Sequence, residues 1–309
     1  MEGFADPVGP DHRAGMVAIC GRPNVGKSTL VNHLVGEKIA IVTDIPGTTR
    51  SAIRGVVTRD DAQLILLDTP GLAKPRTLLT RRLNDLVRDT WAGVDAVLFL
   101  VDAAAGIGRG DAFLAAELRA VNTPVIAVAN KIDELRDTSA LLPILARLAE
   151  LRGPDAPFTE VVPVSAASGD NVDRLLQLTI NQLPHAGRLF PGGQVTDQPE
   201  RVRAAEILRE KLLDGARDEL PHSIAVTVDE VRDDTNRADL VHIDAVIHVE
   251  RDSQKGIVIG QGGQRLKAAA TAARHDLEVL FGRKVFLTTH VRVAKEWQRD
   301  PKMLGRLGY

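Results

Sequence analysis

The stretch GRPNVGKS, positions 21 to 28, sets Gly21, four further residues, then Gly26, Lys27 and Ser28 between an apolar run, MVAIC, and a helical pattern, STLVNHLVG. Those residue types at that spacing suit chemistry on phosphates. The backbone of Gly21, Arg22, Pro23, Asn24, Val25 and Gly26 can wrap phosphate oxygens. Lys27 can reach the β and γ oxygens, and Ser28 can ligate Mg²⁺, at a helix N-terminus that favours anions.

Four downstream pieces complete the set. NKID at 130 to 133 ends an apolar strand pattern. The Asp133 carboxylate there can accept hydrogen bonds from guanine N1–H and the N2 amino group, which adenine cannot supply. Asn130 is expected to tie this loop to the phosphate loop, Lys131 to lay its stem against the base face, and Ile132 to complete the turn. DTPG at 68 to 71 ends another strand, which places Asp68 near the metal, directly or through water, and the Gly71 N–H near a γ-phosphate, with Thr69, Pro70 and Leu72 alongside. GTTR at 47 to 50 lies where a threonine can close over Mg²⁺. SAAS at 165 to 168 can offer N–H groups of Ser165, Ala166 and Ala167 to the guanine O6. Singly these pieces are weak; in this order they predict a GTP site, with Lys27, a threonine of GTTR, Asp68 and Gly71 nearest the chemistry.

A second glycine loop, GIVIGQGGQRLK at 256 to 267, lacks the Lys-Ser/Thr pair that a triphosphate and Mg²⁺ require. Its glycines suit a helix C-cap. They equally suit a GxxG turn between two helices beside a three-stranded sheet, the layout of a KH domain, where a single-stranded nucleic acid approaches the backbone. Gly260, Gln261, Gly262 and Gly263 form that turn. Lys255, Arg265 and Lys267 flank it, so phosphates are expected to meet these cations and the next helix N-terminus. Ile257, Val258 and Ile259 serve either a groove floor or the core. The surroundings agree in charge: residues 251–309 carry 12 Lys and Arg against 5 Asp and Glu, whereas residues 200–250 carry 7 against 13.

The elements that must position these residues follow from periodicity. Short apolar runs at 16–20, 55–59, 62–68, 96–102, 124–130 and 160–165 alternate with helical patterns, which indicates an α/β doubly wound domain with a mainly parallel sheet over residues 16–184. Residues 1–15 read as a loose leader and 185–200, rich in Pro and Gly, as a linker. Residues 201–309 then read as a smaller α+β unit with a C-terminal tail. It opens with a helix over 200–220 whose Ala205, Leu208, Leu212 and Ala216 share a face. Strands follow at 223–231, 240–250 and 284–294.

Length and composition fit this division. The 309 residues allow about two domains, and 44% hydrophobic with 26% charged residues is ordinary for a globular chain. The net charge of −2 excludes a uniformly basic nucleic-acid binder. Cys20, the single cysteine, excludes a disulfide framework and fits a reducing cytosol, as a buried strand residue. No apolar run approaches a membrane span, and the N-terminus lacks a signal-peptide pattern.

The spelling GRPNVGKSTL, TTR, DTPG, NKID resembles the translation-factor-related GTPases of the Era, MnmE and Der group. With ILREKLLDGARDELPHSIAVTVDE, SQKGIVIGQGGQRLK and HVRVAKEWQRDPKMLGRLGY, the chain after residue 15 resembles the Era type, with a type II KH domain. That resemblance implies a Mg²⁺-dependent GTPase that assembles the small ribosomal subunit and holds the 3′ end of its 16S rRNA. It implies a cytoplasmic monomer, with peripheral contact at the inner membrane face. It makes Thr49 the switch threonine, with Thr48 as rival, and Asn24 a candidate K⁺ ligand whose other role is to brace the loop. Two departures stand out. Leu72 occupies the place of a water-positioning Gln in Ras-like proteins, so slow intrinsic turnover is expected, and the turn has no basic residue between its outer glycines. A membrane-associated signalling GTPase and a small-molecule P-loop kinase are the alternatives; NKID opposes the kinase, and the absence of a lipidation motif opposes the first.

Overall fold

The computed structural model describes residues 8–43, 45, 48–50, 53–72, 75–214, 216 and 220–309. The chain forms two compact units. The first takes the described residues of Met1–Ala40, Thr49–Lys74 and Leu83–Asp197; the second takes those of Ile41–Thr48, Pro75–Arg82 and Gln198–Tyr309.

Six strands build the first unit: β1 (Arg13–Gly21), β2 (Ile53–Thr58), β3 (Ala62–Asp68), β4 (Ala96–Asp102), β5 (Val125–Asn130) and β6 (Glu160–Pro163). Their order is β2-β3-β1-β4-β5-β6. All neighbours are parallel except β2 with β3. Helices α1 (Lys27–Val35), α2 (Leu78–Ala92), α3 (Arg109–Glu117) and α4 (Leu141–Glu150) connect them, and α5 (Val172–Ile180) follows β6. The sheet is apolar on both faces because it feeds two cores. Ala96, Leu98 and Leu100 of β4 enter one core, and Val97, Phe99 and Val101 enter the other. Continuous apolar runs are thus strands covered twice.

Strand register brings the chemistry to one edge. Ile19 pairs with Asp68, Gly21 with Leu100, and Asp102 with Asn130. The carboxyl ends of β1, β3, β4 and β5 therefore lie together at the crevice beside the switch in strand order, where open α/β sheets bind ligands.

Several strand boundaries differ from the periodicity; β2, expected at 55–59, is Ile53–Thr58. β1 starts at Arg13, inside the expected leader, because Arg13 and Ala14 pair with Ala62 and Gln63. β6 ends at Pro163, two residues early. Residues of the expected linker lie along the first unit: the Leu189 and Phe190 N–H groups donate to Gln63 Oε1 at 2.7 and 2.9 Å, and the Val195 carbonyl accepts from the Val56 N–H at 2.8 Å.

The second unit contains α6 (Glu200–Leu213), α7 (Leu220–Ser223), β7 (Ala225–Asp233), β8 (Leu240–Val249), α8 (Asp252–Ile259), α9 (Gln264–Phe281), β9 (Lys284–Val293) and α10 (Pro301–Arg306). Its sheet runs β7-β8-β9, antiparallel then parallel. The single helix expected over 200–220 ends at Leu213, because Asp214 turns extended at ψ 125°. The next residue in sequence is a glycine, a poor helix former. Ala205, Leu208 and Leu212 are buried on the shared face, and Ala216, beyond the helix, packs against the same core.

Candidate functional site

Helix α1 opens without a side-chain cap. Its first N–H groups are thus left for an anion. Gly26 caps it at φ 93°, left-handed backbone, and a Cβ there would collide with Asn130 Nδ2. Only glycine meets both demands. Asn24 and Val25 complete the loop, Asn24 exposed at φ 64° and Val25 buried.

Lys27 is 7% exposed, and its Nζ donates to the carbonyls of Gly21 and Arg22 at 3.1 and 3.0 Å. Burial pulls its pKa down, opposed by the charge of Asp68. Asp68 is fully buried, and burial pushes its carboxyl above the ordinary range; the Lys27 charge and the Ser28 and Thr49 hydroxyls oppose that shift. Ser28 Oγ donates to Asp68 Oδ2 at 2.6 Å and lies 3.5 Å from Thr49 Oγ1. Asp68 Oδ1 is buried with no hydrogen-bond partner among the described residues. Three oxygen-bearing side chains thus converge with one carboxylate oxygen unused. Between the rival threonines, Thr49 is the one whose hydroxyl faces this cluster; Thr48 belongs to the second unit, where its carbonyl accepts from Arg209. Gly47 of the same motif lies outside the described residues.

Thr69 anchors the DTPG turn by donating from its hydroxyl to the Ile19 carbonyl at 2.8 Å. Pro70 is buried, Gly71 lies against the Pro23 ring, and Leu72 packs into the core. Cys20, buried in β1, has its thiol pushed up to about 12 by burial, which makes it chemically inert.

Asn130, 1% exposed, joins two loops: Nδ2 donates to the Val25 carbonyl at 2.7 Å, and Oδ1 accepts from the Ala166 N–H at 2.9 Å. Ile132 is half-buried against the core, and Asp133 is exposed at the rim. Of the three N–H groups expected for a guanine oxygen, that of Ser165 goes to the Asp170 carbonyl and that of Ala166 to Asn130. Ala167 alone keeps its N–H unengaged among the described residues.

Two basic residues of the nucleotide loops are held by carboxylates. The Arg22 guanidinium does not face the phosphate loop's interior: its Nε contacts the fully buried Asp111 at 2.8 Å and its Nη2 the Gly106 carbonyl at 3.3 Å. Lys131, at φ 66°, pairs with Asp102 at 2.8 Å, and that hydrogen bond foremost raises its pKa. Neither Asp102 nor Asp111 was singled out in the sequence. Asp102 does end a strand, which was the available signal; Asp111 sits in no motif.

In the second unit, α8 ends in Gly260, whose N–H donates to the Gly256 carbonyl at 2.9 Å, so the helix cap and the GxxG turn are one structure. Gly262 stands at φ 57° and Gly263, at φ 78°, caps α9 without a side-chain bond. Gln261, Gly262 and Lys267 are exposed, and Lys255 is half-buried. Arg265 is partly diverted, its Nη2 donating to the Leu212 carbonyl at 3.4 Å. Val258 is in the core while Ile257 is 50% exposed, so the apolar trio divides between core and surface.

A strand, glycine loop and helix with a guanine-reading motif, followed by a helix–GxxG–helix unit on a three-stranded sheet, define a GTP-binding domain joined to a KH domain. Residues 16–131 match the family described as 50S ribosome-binding GTPase, and residues 219–298 match the KH domain family. GTPase Era of Mycolicibacterium smegmatis is 51% identical over 301 residues, covering 97% of this chain and 99% of the relative. GTPase Era of Mycobacterium tuberculosis is 50% identical over 302 residues, with the same coverage. Among solved structures, a variant of Aquifex aeolicus Era bound to GDP·AlF4⁻ aligns with a TM-score of 0.92 at 38% identity, over 96% of this chain and 99% of that one. Era in complex with MgGDPNP and nucleotides 1506–1542 of 16S ribosomal RNA aligns with the same score, identity and coverage. The chain belongs to the GTPase Era family and is a GTPase.

Proposed function

We propose that this GTPase is a switch whose KH unit holds the single-stranded 3′ end of 16S rRNA and assists assembly of the small ribosomal subunit. The observation that carries the reading is the match, across 96% of the chain, to an Era structure containing both MgGDPNP and 16S rRNA nucleotides. The 50S wording of the domain family covers residues 16–131 alone, so the relative matched along nearly the whole chain is the better guide.

In the nucleotide site Lys27 exchanges its two loop carbonyls for β and γ oxygens, and the N–H groups of the loop and of α1 hold the remaining phosphate charge. The unused Asp68 Oδ1, with the Ser28 and Thr49 hydroxyls beside it, is the oxygen set a hard cation needs. These residues would hold Mg²⁺, Asp68 directly or through water. When bound, that ion neutralises charge developing between the β- and γ-phosphates. Gly71 meets the γ-phosphate with its N–H, Asp133 reads guanine, and Ala167 offers the donor to O6. Leu72 gives the attacking water no polar atom, which supports slow intrinsic turnover.

In the KH unit, the turn from Gly260 to Gly263 lets an RNA backbone come close, and Lys255, Lys267 and the undiverted part of Arg265 supply positive charge. Gly262 has open space where a side chain would stand, and Asp tolerates its left-handed backbone. Gly262→Asp therefore puts a negative charge on the turn with no steric clash and a modest backbone cost. Titration with a labelled oligonucleotide of the 16S 3′ end is expected to show at least about tenfold weaker binding, with GTP hydrolysis retained. Unchanged RNA binding would overturn the assignment of this turn as the RNA contact.

A further inference from the structure

The segment from Asp102 to Asp111 is bonded at both ends to a nucleotide loop, and the two ends are built alike. At one end Asp102 Oδ1 accepts from the Ala105 N–H at 2.8 Å, while Oδ2 pairs with Lys131 Nζ of NKID at 2.8 Å. At the other, Asp111 Oδ2 accepts from the Gly108 N–H at 2.8 Å, while Oδ1 pairs with Arg22 Nε of the phosphate loop at 2.8 Å. Each carboxylate spends one oxygen on the segment's own backbone and the other on a basic residue of a nucleotide loop. A third bond, from Arg22 Nη2 to the Gly106 carbonyl, fastens the middle.

We propose that Asp102 and Asp111 are positioning residues for the nucleotide: they make the segment between them a brace that fixes the phosphate loop through Arg22 and the guanine loop through Lys131. This rests on the nucleotide site described under the proposed function. Neither carboxylate touches the nucleotide. Their effect passes through backbone placement. Arg22 supplies one of the two carbonyls on which Lys27 rests, so its anchor sets where Lys27 starts. Lys131 holds φ 66°, a conformation costly for a residue with a side chain and kept only where surroundings impose it. The 2.8 Å bond to Asp102 is one such imposition. Burial strengthens both pairs, since side-chain exposure is 0% for Asp111 and 12% for Asp102.

Preorganisation of this kind acts on binding in both nucleotide states and leaves the chemical step alone. The brace therefore predicts a split between KM and kcat. Asp102→Ala and Arg22→Met are each expected to weaken GDP and GTP by about tenfold and to raise KM for GTP by a similar factor, with kcat at saturation within about twofold for Asp102→Ala. Asp102→Glu, which keeps the charge, is expected to recover part of the affinity; a space-filling role alone would not give that recovery. Asp111 is the more buried, so Asp111→Asn is used there, and if it fails to fold the other two variants still decide. Lys27→Ala in the same titrations separates the two readings. If Lys27→Ala abolishes tight binding while Asp102→Ala and Arg22→Met bind GDP as the wild type does, the brace is wrong and the site stands. If Lys27→Ala binds normally, the site itself is misassigned and the brace falls with it.

Discussion

Ser28 Oγ donates to Asp68 Oδ2 at 2.6 Å while Oδ1 of the same carboxylate is buried without a partner among the described residues. The free oxygen is costly in a dry environment unless it is protonated or meets a cation. That choice makes metal binding depend on pH. Burial raises the Asp68 pKa above 3.8. With its folded pKa above its unfolded value, Asp68 contributes to metal-free stability fully below 3.8, and the contribution is lost as pH rises through the raised value. Mg²⁺ must displace the proton, so the sign reverses for binding. The affinity for Mg²⁺ with nucleotide is expected to fall on acidification, beginning above the usual aspartate range. Titrations of Mg²⁺ at stepped pH measure this, and Asp68→Asn should both weaken Mg²⁺ and flatten the pH dependence; an equal slope in the variant would exclude Asp68 as its source.

Asn130 is predicted to matter to both fold and ligand, because one buried amide satisfies a carbonyl in the phosphate loop and an N–H in the loop after β6. Asn130→Ala leaves both groups unpaired, at about 1–3 kcal/mol each. A lower Tm and at least about tenfold weaker GDP binding are the expected pair of results. Loss of one without the other would separate the amide's two contacts.

Asp133 is exposed and holds no structural bond among the described residues, so its replacement should leave stability unchanged. Asp133→Asn is expected to reduce discrimination between GTP and xanthosine triphosphate, because an amide can donate to the xanthine oxygen where the carboxylate accepted from the guanine amino group. Competition binding with both nucleotides reads this directly; retained guanine selectivity would move the base reader elsewhere.

Much of this was legible in order and spelling. Strands β3 and β4 are continuous apolar runs, and the motifs at their ends need strand ends to act from, so pattern and chemistry pointed to the same positions. The misreadings have local causes. The helix over 200–220 keeps its apolar period through Ala216, but backbone geometry at Asp214 ends it first. β1 gains Arg13 from pairing with Ala62, a contact that sequence spacing does not reveal. The side chains of Arg22 and Arg265 make contacts that spacing does not reveal, to Asp111 and, for one nitrogen of Arg265, to the Leu212 carbonyl. Asp111 was invisible because its partner lies 89 residues away.

In the switch we propose, the nucleotide held by the first unit controls RNA binding by the second. The direct measurement is the affinity of the full chain for an oligonucleotide of the 16S 3′ end, taken in parallel with GDP and with a non-hydrolysable GTP analogue at fixed salt. Tighter binding with the analogue, by about tenfold or more, and loss of that binding in Gly262→Asp are the predicted results. Equal affinity in the two nucleotide states would contradict the switch, even if the RNA were bound.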